Sequence, residues 1–180
     1  MLPEEPGPSS SLLLFHQFIG CSGSQLQTLE IRITEDSMEP DQLFSYLPQL
    51  RKLGLFFLED NDKDPSRFFK CLSDTGAVLP SLSDLGLHVG KIFMWDESLV
   101  EIIDKRWRDS GLSRVCIQCD EACVGENGDQ AAQTLSCIDH LKSLKAEGLD
   151  ISILVKGSNE IWYDLLEDDA HNNVLYSTVY

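Results

Sequence analysis

Four residues of this chain carry the spacing of a metal site. Cys116 and Cys119 are separated by two residues, seventeen residues follow, and Cys137 and His140 are again separated by two. Thiolates and an imidazole spaced in pairs can close a tetrahedral zinc site. A structural reading competes. Cys116 stands between Val115 and Ile117 in a segment that alternates like a strand, so its side chain points away from those two. Cys137 and His140 fall at i and i+3 of a segment with helical periodicity. Neither pair sits in the tight turn that zinc knuckles use, and cysteine is a common small buried hydrophobe. Zinc held by Cys116, Cys119, Cys137 and His140 is therefore the alternative, and the primary reading has no metal and no cofactor. Cys123 reads as a loop thiol.

The other candidate chemistries stop short of a reaction. "EDNDKDP", residues 59–65, places Asp60, Asp62 and Asp64 like the start of an EF-hand. That loop next needs Gly and, at its end, Glu, where this chain has Pro65 and Cys71. A solvated loop ending in a helix cap explains the segment as well. "GCSGS" from Gly20 approaches a nucleophile elbow but fails at Ser24, and Ser22 reads as a turn residue. His16, His88, His140 and His171 lack a local nucleophile and orienting acid, and no glycine-rich phosphate loop is written. The chain is expected not to be an enzyme.

Charge narrows the partners. Thirty acids against fourteen bases give a net −16 and a pI near 4.4, which opposes binding to phosphate backbones or anionic membranes and favours basic protein partners. Lys105-Arg106-Trp107-Arg108 is the one basic cluster. It falls in the last turn of an expected helix, where cations offset the macrodipole, with Trp107 continuing the apolar stripe. No run approaches the ~18 apolar residues of a membrane span. The stretch Leu12–Ile19 is preceded by Glu4 and Glu5 rather than Lys or Arg, the wrong flank for a secretory signal. Six cysteines without a staple-like framework suit a reducing compartment, cytoplasmic or nuclear.

The elements that must position these residues recur. One phrase, Leu-x-x-aliphatic-x-aliphatic, appears as Leu26-Leu29-Ile31, Leu50-Leu53-Leu55, Leu82-Leu85-Leu87 and Leu112-Val115-Ile117. A fifth begins at Leu141 and Leu144 and slips, with Leu149, Ile151 and Ile153 alternating. The starting leucines are 24, 32, 30 and 29 residues apart, a period that signals stacked repeats. Between phrases the period becomes helical. Pro40 opens a short segment. Asp64, Asp96 and Asp129 are placed as caps of longer ones, and Gly111 and Gly148 as stops. The expectation is α/β: an irregular solenoid with short parallel strands on the concave side and helices outside. Residues 1–11 read as a loose leader, 12–166 as about five units, and 167–180 as an acidic and polar tail.

The phrase resembles the leucine-rich repeat. "LPQLRKLGL", "LPSLSDLGL", "SLVEIIDKRWRDSGLSRVCIQ" and "LKSLKAEGLDISI" further resemble the C-terminal repeat region of fungal F-box proteins, particularly those of mushroom-forming fungi, over roughly residues 12–162. The resemblance implies a substrate receptor of a cullin–RING ubiquitin ligase. Its F-box would hold a Skp-type adaptor while the repeats hold the substrate. No F-box segment stands ahead of these repeats, so the expectation is a truncated or fragmentary receptor or a stand-alone repeat protein. The repeat's usual Asn or Cys is replaced by Thr34, Leu58, Gly90 and Asp120, which implies irregular rungs. Counting each opening Leu as one, position five holds Glu30, Gly54, Gly86 and Cys116, and position seven holds Arg32, Phe56, His88 and Gln118. Glu30, Arg32, Phe56, His88 and Gln118 are the expected protein-binding face. A merely solvated face is the competing reading.

Overall fold

A computed structural model of the chain describes residues 10–33, 39–57, 66–74, 78–91, 97–121, 128–156 and 162–167. The "EDNDKDP" loop, Cys123, His171, Thr34, Leu58, the leader to residue 9 and the tail from residue 168 lie outside them. Five parallel strands stand side by side in chain order: β1 (Thr28–Ile33), β2 (Lys52–Phe57), β3 (Asp84–Lys91), β4 (Arg114–Glu121) and β5 (Asp150–Lys156). A sixth, β6 (Trp162–Asp164), pairs antiparallel with β5. The described helices are α1 (Ser10–Ser22), α2 (Pro40–Ser45), α3 (Ser66–Leu72), α4 (Glu97–Ser110) and α5 (Gly128–Ala146), with a short 3-10 turn at Gly23–Gln25. The α/β class and the parallel strands agree with the sequence expectation. β6 does not follow from it, and α1 begins inside the segment read as leader.

The repeated phrase stays in register across all five strands. Leu29, Leu53, Leu85, Val115 and Ile151 are successive partners, as are Ile31, Leu55, Leu87, Ile117 and Ile153. Position eight forms a third apolar row, Ile33, Phe57, Val89, Cys119 and Val155, all buried. These rows meet Leu43, Phe44, Phe68, Phe69, Leu72, Val100, Ile103, Ile138 and Leu141 of the helices in one core. Strand side chains alternate between faces, so the opposite face carries positions three, five and seven.

Position two supplies the link between rungs. The carbonyl of Gln27 accepts the N–H groups of Arg51 and Lys52, that of Arg51 those of Ser83 and Asp84, and that of Ser83 those of Ser113 and Arg114. Ser83 Oγ and Ser113 Oγ donate to the same Arg51 and Ser83 carbonyls, at 3.2 and 3.0 Å. A backbone and serine ladder thus runs across the units. Both Leu-Pro copies make the same turn, Leu50 N to Leu47 O and Leu82 N to Leu79 O, each at 3.1 Å. At the end of α5, Gly148 (φ +115°) sends its N–H to Lys145 O while Leu149 N–H reaches Leu144 O, with Leu144 and Leu149 both buried. That is the glycine-stopped helix end expected from the sequence.

The basic cluster has a different job from the expected one. Arg106 is fully buried. Its guanidinium donates to the carbonyls of Leu72, Val78 and Leu79, and Lys105 Nζ donates to Ser73 O at 2.9 Å. These cations satisfy carbonyls at and just past the end of α3, the neighbouring helix, and in the turn at Val78 and Leu79, rather than those of α4. Arg106 also holds Leu79, whose φ of +49° is strained for a residue with a Cβ. Arg108 bridges Asp104 and Glu147, at 2.6 and 3.0 Å, and lies over the Trp107 ring. Burial lowers the Arg106 pKa to about 10, with Asp74 opposing the shift, so the side chain stays charged at neutral pH. Replacing it removes the donor from the Leu72 and Val78 carbonyls, while Leu79 O keeps the N–H of Leu82. Arg106→Met is expected to cost about 3 kcal/mol or more, whereas Lys105→Ala at the rim costs under about 1 kcal/mol. Urea unfolding of both variants checks this, and equal small losses would refute the clamp.

Candidate functional site

The sheet face opposite the core is built of three rows. Position seven runs Arg32, Phe56, His88, Gln118 and Leu154 across β1 to β5. Phe56 stacks on His88 with ring centres 5.6 Å apart and planes 24° apart, and His88 Nδ1 lies 3.3 Å from Gln118 Oε1. The three expected residues from the middle strands therefore form one connected row, half-buried throughout. Parallel register sets adjacent strands about 4.8 Å apart, which is what brings equivalent side chains into contact.

Position five runs Glu30, Gly54, Gly86, Cys116 and Ser152, four small residues beside one acid. A Cβ on Gly54 would lie 3.0 Å from Glu30 Cγ and 3.5 Å from the Phe56 ring, so glycine admits both neighbours there. A Cβ on Gly86 would meet nothing nearer than 3.7 Å, which leaves that position an open floor. Position three runs Thr28, Lys52, Asp84, Arg114 and Asp150, alternating in sign after the first. Lys52 pairs with Asp84 at 3.6 Å and Arg114 with Asp150 at 2.7 Å. Such exposed pairs contribute at most about 1 kcal/mol each, so their consequence is pattern rather than stability.

This third row, together with Ser152 and Leu154, was not among the expected site residues. Its signal was legible, since position three can be counted off each phrase as readily as five or seven. The slip in the fifth phrase hid the β5 members. Across positions three, five and seven the charged residues are Lys52, Arg114 and Arg32 against Asp84, Asp150 and Glu30, a neutral set in a chain of −16. The acidic excess lies elsewhere, so this face has no bias toward a basic partner.

The zinc set is not brought together. Cys116 belongs to position five on the outward face, while Cys119 belongs to position eight and is fully buried in the core. Three residues along a strand place two side chains on opposite sides of the sheet. Cys137 is buried in α5 and His140 is exposed on it. Among the described residues no group of three His, Cys, Asp or Glu could hold a metal ion.

A cleft of about 410 Å³ between α2 and α3 is lined by Asp41, Arg67, Lys70, Cys71 and Asp74, among others. Cys71 Sγ donates to Asp41 Oδ1 at 2.8 Å. Burial, that hydrogen bond and the charges of Asp41 and Glu39 push the thiol up to about 12. A thiol held protonated is a poor nucleophile, which makes this contact structural.

Comparison of the whole chain with protein-family models, with curated proteins and with solved structures returned no match. Among the described residues no helix is long and apolar enough to cross a membrane. The thiols give a direct check of the site electrostatics. With its thiol held protonated by burial and Asp41, Cys71 is expected to react with iodoacetamide at pH 8 far more slowly than exposed Cys21. Peptide mapping over time reads the order, and equal rates would refute the Asp41 contact.

Proposed function

We propose that the chain is a non-catalytic protein-binding module, an irregular leucine-rich-repeat solenoid whose outward strand face receives a protein partner. We further assign it to the substrate-recognition repeats of an F-box-type ubiquitin ligase receptor, acting in the cytoplasm or nucleus. The observation that carries the binding reading is the connected row Phe56–His88–Gln118 beside the small-residue floor of Gly54, Gly86 and Cys116. An aromatic row next to a floor without bulk lets a partner's side chains approach the sheet and cover the rings. The alternating charges of position three would set the partner's register along the strands. In the solenoid reading this face is the concave one.

The ligase assignment rests on the wording of the repeats alone, "LPQLRKLGL", "LPSLSDLGL" and "LKSLKAEGLDISI". A Skp-type adaptor enters only if an F-box precedes Met1. Sequencing the transcript upstream of Met1 tests it. An in-frame Leu-Pro-rich helical segment supports the receptor, and a stop codon directly upstream overturns it.

The face itself is tested by affinity capture with quantitative mass spectrometry. Phe56→Ala and Gln118→Ala are expected to lower capture of the same protein about tenfold, the loss typical of a central contact. Glu101→Ala, exposed on α4, is expected to leave it unchanged. Identical capture by all four chains would end the face assignment.

A further inference from the structure

The two edges of the sheet are finished differently. Beyond β5 the chain turns back as β6, whose Asp164 carboxylate accepts the N–H of Ile153 at 3.1 Å and whose successor Leu165 donates to Ile153 O at 2.9 Å. That edge is closed by the chain's own residues. At the other end, among the described residues, β1 pairs with β2 alone. It is six residues long and contains no proline, two features that leave an edge competent to pair.

The direction of its free groups follows from the ladder. Lys52 N donates to Gln27 O, so residue 27 faces β2, and so do 29, 31 and 33 by alternation. Thr28, Glu30 and Arg32 therefore turn their N–H and C=O to the open edge. Their side chains are exposed, and neither Glu30 nor Arg32 forms an ion pair among the described residues. On the helix side, Leu29 and Ile31 are only half-buried, while their partners Leu53 and Leu55 are 2% and 0% exposed. The outermost rung is the one left partly uncovered.

We propose that β1 is a dimerisation strand, two copies pairing antiparallel through this edge with Glu30 of each opposite Arg32 of the other. Only outward-facing residues can exchange the paired hydrogen bonds, which limits the registers. Centring on Glu30 would set two carboxylates face to face. Centring on Ile31 sets Glu30 against Arg32 twice, forms the hydrogen-bonded pairs between those same residues, and brings Ile31 to Ile31 and Leu29 to Ile33 on the helix side. Charges on an edge ordinarily deter pairing. Here their signs and spacing satisfy each other in one register. The two-fold axis stands perpendicular to the sheet, so the outward faces of both copies lie on one side. The inference is independent of any partner for that face.

Sedimentation of the purified chain, without partner, tests it. The wild type is expected to dimerise reversibly with concentration. Glu30→Arg sets two cations opposite each other and Arg32→Glu two anions, and each is expected to weaken the dimer about tenfold or more. An equimolar mixture of the two variants is expected to form a heterodimer, and the double variant Glu30→Arg/Arg32→Glu to regain the wild-type affinity. Glu30→Arg alone is the sharpest case. It reduces the net negative charge of a −16 chain, so general repulsion between copies predicts tighter association rather than weaker. Far-UV circular dichroism verifies that each variant is folded. A wild type monomeric at about 100 µM, or a dimer indifferent to both swaps, would overturn the proposal.

Discussion

Everything on this sheet depends on the rungs staying in register. Residue 27 is bonded to 51 and 52, 51 to 83 and 84, 83 to 113 and 114, and Asp150 N reaches Ser113 O at 3.2 Å. A slip of one residue would turn every core leucine outward and every small or charged residue inward. The connections between strands differ in length, so their helices and loops absorb the variation and the strands do not. Because register holds, a single position in the phrase becomes a physical row. Rows four, six and eight become the core, and rows three, five and seven become a surface of defined composition.

The second requirement is local to the third unit. Its Leu-Pro turn begins with Leu79 in left-handed backbone, and the carbonyls of Leu72, at the end of α3, and of Val78 and Leu79 converge on Arg106. Leu72 and Leu79 are buried, so a protein donor serves their carbonyls in place of solvent. Arg106 reaches three carbonyls from one side chain, which a lysine cannot match because its ammonium lacks the planar fork. Burying a guanidinium is costly, and the low local polarity shows in its lowered pKa. The cost is met by hydrogen bonds to charged donors, stronger than those between neutral groups. The strained residue and the buried cation stabilise one arrangement together.

Much of this was legible because apolar periodicity reports a strand or helix face directly. The five strands, the proline start of α2, and the glycine ends of α4 and α5 all follow from pattern and turn chemistry. What escaped is tertiary. Row eight mixes Ile33, Phe57, Val89, Cys119 and Val155, and its chemical variety hid it. Cys119 was consequently weighed as a metal ligand when it is one more core residue. Arg106, flanked by Lys105 and Arg108, read as a cation offsetting the dipole of its own helix, because nothing local says that three carbonyls of a distant segment converge on it. β6 is three residues long, too short for a period. On the candidate face, Phe56, His88 and Gln118 could be placed in one row by counting, but their contacts required the register.

The composition of that face bears on how it could recognise anything. A −16 chain invites an electrostatic account in which acidic surface attracts basic partners. Yet the charges on rows three, five and seven cancel, and four of them are already paired across strands. A partner drawn only by the overall field would meet the helices and loops as readily as the sheet. Under the proposed role, discrimination at the sheet would therefore come from short-range terms: the stacked Phe56 and His88 rings, the hydrogen-bonding edge of Gln118, and the absence of side-chain bulk at Gly54 and Gly86. These act over contact distances and are little affected by salt, whereas steering by net charge is screened within about 10 Å at ordinary ionic strength. In the proposed binding role, attraction and recognition would thus be separated, the first spread over the acidic exterior and the second concentrated in two adjacent rows of the repeat.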